Sequence, residues 1–301
     1  MFIRTLSDGE EAAGHSKPYV LVDGGDLLPR LEEHPTLYAE FFAEAINRMG
    51  YDALNLGEME FWAGRAVIKR MSEVAEFSLI SSNALSDDPL WEPYVIKEIK
   101  DVRVAILGLL SPRFPIDEGI AIVEAPKVCL ERVLNDLKDT ADIFVLLSHM
   151  DKKTTLDLVQ DVPGVDVAVV GHGSRNPIEG ERVGKTLVIS PGLKGQHVGV
   201  IDIAWDGGQE EVVGMTSKIH PLGSDIPDDT GFAEVIREFN RKINAARDEE
   251  YRQRQAQEEE DQRTKALVER ALKMTPEEFY EFYQKEMQDM LEMPESQKVQ
   301  P

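Results

Sequence analysis

Cysteine and positive charge are scarce in this 301-residue chain, long hydrophobic runs are missing, and each shortage closes off a class of function. A single cysteine, Cys129, rules out an internal disulfide and any thiolate metal cluster. It lies in the apolar stretch Val128-Cys129-Leu130 and reads as a packing residue. Lys and Arg number 33 against 56 Asp and Glu, a formal net charge of −23. That balance argues against a nucleic-acid polymer as partner, because phosphate-backbone binding rests on clustered basic side chains. No run approaches the ~20 apolar residues of a membrane span. Met1 to Ser16 lacks the hydrophobic region of an export signal. As written, the chain reads as cytoplasmic; a periplasmic or extracellular location requires an export segment ahead of Met1. Neither Gly-x-Ser-x-Gly nor a P-loop occurs, which leaves serine-hydrolase and NTPase chemistry without support.

What is present is enough apolar residue, 42%, to bury a core of enzyme size. From Tyr19 to Asp206, short β-rich runs alternate with helical patterns. Strands are expected at Tyr19–Asp23, Ala53–Leu56, Phe77–Ser81, Val102–Leu110, Asp142–Leu147, Val165–Val170, Leu187–Ile189 and Val198–Ile203, with helices at Pro35–Met49 and Ala125–Leu137. This alternation predicts a layered α/β domain over residues 1–226. Beyond it, residues 227–293 read as an acidic helical extension, a long solvated helix followed by a short amphipathic one. The second helix opens on Thr275-Pro-Glu-Glu278, the form of a capping box, and carries Phe279, Tyr283, Met287 and Met290 or Leu291 on one face. Residues 294–301 are expected to be a disordered tail. The extension either packs on its own domain or mediates helix-driven self-association.

Four expected strands end in a polar residue placed just after a small one: Gly25-Asp26, Gly57-Glu58, Ser148-His149 and Gly171-His172. Ligand sites in open α/β sheets form beyond the carboxyl ends of the strands, where successive loops converge. Two carboxylates and two imidazoles delivered there make an N/O coordination set suited to Zn²⁺, Mn²⁺ or Fe. Flanking glycines let the backbone turn sharply. Of the remaining histidines, His197 sits in a turn from which it can approach such a site, whereas His15, His34 and His220 read as surface residues.

In order, Gly25-Asp26-Leu27-Leu28, Gly57-Glu-Met-Glu60, Ser81-Ser-Asn-Ala84, Leu146-Leu-Ser-His149 and Val169-Val-Gly-His172 resemble the 5′-nucleotidase branch of the calcineurin-like metallophosphoesterases. Val104–Pro112 and Val188–Asp202 are similar to strand and turn segments of that branch, so the resemblance runs from about Met1 to Asn240. It implies a four-layer α/β/β/α sandwich and a dinuclear site hydrolysing phosphate esters of small molecules. By that resemblance Asp26 matches a carboxylate bridging both metals, Glu58 stands where an Asn ligand is usual, and His149 and His172 match two histidines of the second metal. Three departures accompany it. Met59 occupies the place of the histidine that contacts substrate phosphate, and a thioether can neither donate a proton nor carry positive charge. Ser174 replaces a histidine of the first metal. The family's opening Asp-x-His strand is absent, and Met1–Leu6 resembles the middle of the helix that follows it. The expectation is therefore one divalent ion rather than two, in a domain lacking its first strand, with metal-ligand coding sequence lying upstream of Met1. The separate nucleoside-binding domain of the family has no counterpart here.

Overall fold

The computed structural model describes residues 19–30, 33–99, 102–173 and 176–292. A small parallel sheet is formed by β1 (Val22–Asp23), β2 (Ala53–Asn55) and β3 (Ser78–Ile80), in the order β1-β2-β3. Beside it lies a short antiparallel pair, β4 (Ala84–Leu85) with β7 (Ile122–Val123). A six-stranded sheet collects β5 (Tyr94–Ile99), β6 (Val102–Leu110), β8 (Ile143–His149), β9 (Val167–Val170), β10 (Ile178–Val183) and β11 (Thr186–Ser190), in the order β10-β11-β9-β8-β6-β5. Its four central strands run parallel and both edge strands antiparallel. The hairpin of β12 (His197–Asp206) and β13 (Glu211–Pro221) completes the strand set.

Helices α1 (Pro35–Met49), α2 (Glu58–Ala63) and α3 (Arg65–Val74) follow the small sheet's strands, and α4 (Pro126–Leu137) and α5 (Lys152–Asp161) those of the large one. Side-chain alternation along the strands sorts the core into three layers. Ala105, Leu107 and Leu109 of β6 pack with Cys129, Leu130 and Val133 of α4 and with Leu158 of α5. The intervening Val104 and Ile106 pack instead with Ala53, Ile80, Ile143, Val145 and Val167, between the two sheets. Leu54 and Leu79 join Ala43 and Ile46 of α1 and Ile68 and Met71 of α3. The result is the four-layer α/β/β/α sandwich. Cys129 is fully buried in the α4 layer, where burial pushes its thiol up to about 12, so it stays an unreactive thiol.

Besides the two-residue β4 and β7, three longer strands are absent from the sequence-based expectation: β5, β10 and β13. All are edge or hairpin strands whose outward faces carry charge, such as Lys97-Glu98 and Glu181-Arg182. Met1–Leu6, Met1–Ser16, His15, Ser174 and the 294–301 tail lie outside the described residues. The chain divides into two compact units, residues 1–240 and 241–301. Helix α6 (Thr230–Ala271) begins within the first unit, where Phe239 stacks on Phe41 at 4.3 Å and meets Tyr38 edge-on at 5.0 Å. In the second unit α7 (Pro276–Glu292) opens on a complete capping box. There the Thr275 N–H donates to Glu278 Oε2 at 2.8 Å, and the Glu278 N–H to Thr275 Oγ1 at 3.3 Å. The Met287, Met290 and Leu291 side chains of its expected apolar face lie outside the described set. Among the described residues no helix is long and apolar enough to cross a membrane.

Candidate metal centre

Parallel strands deliver their carboxyl ends to one rim, and the two sheets stack so that both rims meet. After β1 the chain turns through Gly24-Gly25-Asp26, after β2 it enters α2 at Glu58, β8 ends in His149, and His172 follows β9. The turns are tight. Gly25 has φ +106, and a Cβ there would lie 2.7 Å from His149 Nδ1 and 2.9 Å from the Asn55 carbonyl oxygen. A Cβ on Gly57 would lie 2.4 Å from Asp26 Oδ1 and 2.7 Å from His149 Cε1. Asp26 itself has φ +60, a left-handed conformation that costs a non-glycine residue about 1 kcal/mol and that Asp tolerates better than most.

These turns bring Asp26, Glu58, His149 and His172 together: one ligand atom from each lies within 4.8 Å of all the others. His149 Nε2 is 2.6 Å from Glu58 Oε2 and 3.3 Å from Asp26 Oδ1. His172 Nδ1 is 3.3 Å from Glu58 Oε1 and 3.8 Å from Asp26 Oδ2. The other ring nitrogen of His149, Nδ1, donates to the Gly24 carbonyl oxygen at 2.8 Å, which keeps Nε2 turned to the carboxylates. Asp26 Oδ1 also accepts the Met59 N–H at 3.0 Å, from the first turn of α2. Asn55 bridges the sheets beneath, its amide donating to the carbonyls of Leu109 and Leu147 at 3.2 and 3.1 Å.

Glu60 is a site residue that sequence reasoning missed. Fully buried, it accepts the N–H groups of Gly57 (2.9 Å) and Asp26 (3.1 Å) on one oxygen and that of Leu28 (2.9 Å) on the other. One carboxyl group thus fastens the Asp26 turn to the start of α2. The signal available was its place three residues after Gly57, the reciprocal half of a capping box. Burial pushes the Glu60 carboxyl up to about 7, with the Leu28 and Gly57 N–H groups holding it back and the Asp26 charge adding to the rise.

The remaining candidates fall elsewhere. His197 opens β12, and no hydrogen bond or ion pair joins it to the four among the described residues. His34 and His220 are half-buried rather than exposed: His34 caps α1 and His220 pairs across the β12–β13 hairpin.

Electrostatics at the cluster favour a positive charge. Burial opposes the charged form of His149, yet its bonds to Asp26 and Glu58 outweigh burial and raise its pKa to about 10. Burial likewise raises the Asp26 carboxyl, but the bond to His149 and the nearness of His172 more than offset it and hold the group below the usual carboxylate range. A histidine raised from 6.5 to about 10 on folding contributes stability that is complete below pH 6.5 and is lost as pH rises to about 10. Chelator-treated protein is therefore expected to lose thermal stability between pH 6.5 and 9.5 more steeply than its His149→Gln variant. Parallel melting curves across that range check this, and equal slopes would contradict it.

No family model matches the chain. It is 28% identical to the metallophosphoesterase YunD of Bacillus subtilis (strain 168) over 225 residues, 72% of this chain and 47% of that protein. It is 25% identical to a 5′-nucleotidase of Vibrio cholerae over 288 residues, 77% of this chain and 51% of that one. The chain thus spans about half the length of these two relatives. Among solved structures, the calcineurin-like phosphoesterase YfkN from Bacillus subtilis superposes with a TM-score of 0.64 at 18% identity, covering 80% of this chain and 87% of that one. Together with the ordered motifs, these curated likenesses support the calcineurin-like metallophosphoesterase superfamily and its 5′-nucleotidase branch, and the superposition bears out the sandwich fold.

Proposed function

We propose that this chain is a metal-dependent phosphoric ester hydrolase acting on small phosphorylated molecules. It holds one divalent cation, Zn²⁺, Mn²⁺ or Fe, through Asp26, Glu58, His149 and His172. The observation that carries this reading is the convergence of their four ligand atoms within 4.8 Å, with no disulfide or thiolate alternative in the chain. When bound, such an ion supplies Lewis-acid polarisation of a phosphoryl oxygen. The protein's own residues do the rest. Gly24 orients His149, the Met59 N–H orients Asp26, and Glu60 holds both turns in place.

Met59 favours a second reading. It stands where the family resemblance puts a phosphate-contacting histidine, and losing such a group costs about 10²–10⁴-fold in rate. The alternative is an inactive relative that binds cation or phosphorylated ligand as a partner module. An assay with a generic phosphomonoester and Mn²⁺ separates them. Slow turnover is expected in the parent, none in His172→Ala, and a rise of about 10²-fold in Met59→His. Cation uptake without turnover in either parent or Met59→His would establish the second reading. We further assign the hydrolase domain to residues 1–226 and an acidic helical extension to 227–293, which either packs on its own domain, as Phe239 does against Phe41, or mediates helix-driven self-association. The location is cytoplasmic unless an export segment precedes Met1, in which case it is periplasmic or extracellular.

A further inference from the structure

Helix α2 carries more than Glu58. Trp62 follows it by four residues, so the two lie on the same side of the helix. The neighbouring Phe61 is buried in the core, whereas Trp62 is 49% exposed, an unusual state for so large an apolar surface. The indole is nevertheless held in place. Its Nε1 donates to the Pro115 carbonyl oxygen at 2.9 Å, in the loop between β6 and β7. That bond satisfies the only polar atom of the ring and leaves its faces available for stacking.

Phe114, in the same loop, links the indole to the cluster. Its ring lies 6.3 Å from Trp62, nearly perpendicular at 88°, 4.8 Å from His172 and 6.3 Å from His149. A row of aromatic rings therefore leads from the imidazoles outward to solvent. Two separate elements build it, the helix that supplies Glu58 and the loop that follows β6.

We infer that Trp62 and Phe114 form a leaving-group platform beside the cluster, specific for a flat aromatic group, a nucleobase or an aryl ring, carried by the phosphate ester. This rests on the hydrolase reading above, with the phosphate end directed to Asp26, Glu58, His149 and His172. The platform lies within this chain's own sandwich.

The test is equilibrium dialysis of the full chain with adenosine, 4-nitrophenol and ribose, which carry no phosphate and so report the platform alone. Parent, Trp62→Phe and Trp62→Leu are compared, with Mn²⁺ uptake measured on each. Adenosine retention by the parent is expected to weaken about tenfold in Trp62→Leu and less in Trp62→Phe, while ribose is not retained and Mn²⁺ uptake stays at the parent level. Retention of 4-nitrophenol but not adenosine would place a simple aryl ring on the platform. If neither aromatic is retained, or both bind Trp62→Leu as well as parent, the proposal is overturned and the indole merely braces the Pro115 loop. Trp62-dependent adenosine binding with no Mn²⁺ uptake in the parent would sink the hydrolase reading and leave the platform standing.

Discussion

Replacing His149 by alanine is expected to destabilise the fold by about 3–5 kcal/mol and to abolish cation uptake. The His149 side chain is fully buried, and its Nε2 lies within 2.6 Å of the nearly buried Glu58 carboxylate and 3.3 Å of Asp26. Removing the imidazole leaves two carboxylates facing each other across a cavity, without the positive charge that both orient toward. His172 is a useful contrast. It is 31% exposed and its nearest carboxylate oxygen is 3.3 Å away, so His172→Ala should lose cation uptake at a stability cost of about 1 kcal/mol. Urea unfolding of both variants measures the difference. A His149→Ala variant within 1 kcal/mol of the parent would show that the buried carboxylates do not depend on the imidazole.

The second large effect is expected at Glu60. Its carboxyl group accepts three N–H groups, the buried ones of Gly57 and Leu28 and the half-buried one of Asp26, and Glu60→Ala leaves all three without that acceptor. At about 1–3 kcal/mol for each unsatisfied buried group, the loss should be about 3 kcal/mol or more. Because the same bonds fix the Asp26 turn against α2, cation affinity should fall about 10–100-fold as well. Glu60→Gln keeps one acceptor but turns an NH₂ toward N–H donors, so it should recover only part of the stability. Urea midpoints with Mn²⁺ calorimetry on the three proteins check this. Parent-like stability and affinity in Glu60→Ala would remove Glu60 from the account.

Much of the arrangement was legible in the sequence, for physical reasons that can be named. Val104 to Leu110 is apolar at every position because β6 is covered on both faces, by α4 on one side and the small sheet on the other. Asp26, Glu58, His149 and His172 were legible because each is a polar residue that ends or follows a strand, directly after a small residue. Edge strands were not legible: β5 and β10 are half-exposed, so Tyr94–Ile99 and Ile178–Val183 mix charged with apolar residues and lack a buried run. Glu60 was hidden for a different reason. Its spacing from Gly57 is ordinary for a helix start, and only the fold reveals that its second oxygen reaches Leu28, 32 residues away. The row from His172 through Phe114 to Trp62 joins three segments that no local pattern connects.

Cation stoichiometry tests the central claim most directly. The purified 301-residue chain, stripped with chelator and dialysed against Mn²⁺ or Zn²⁺, is expected to retain one ion per chain, and His149→Ala and His172→Ala to retain none. If both variants hold as much metal as the parent, the four residues that the fold gathers do not form the metal centre.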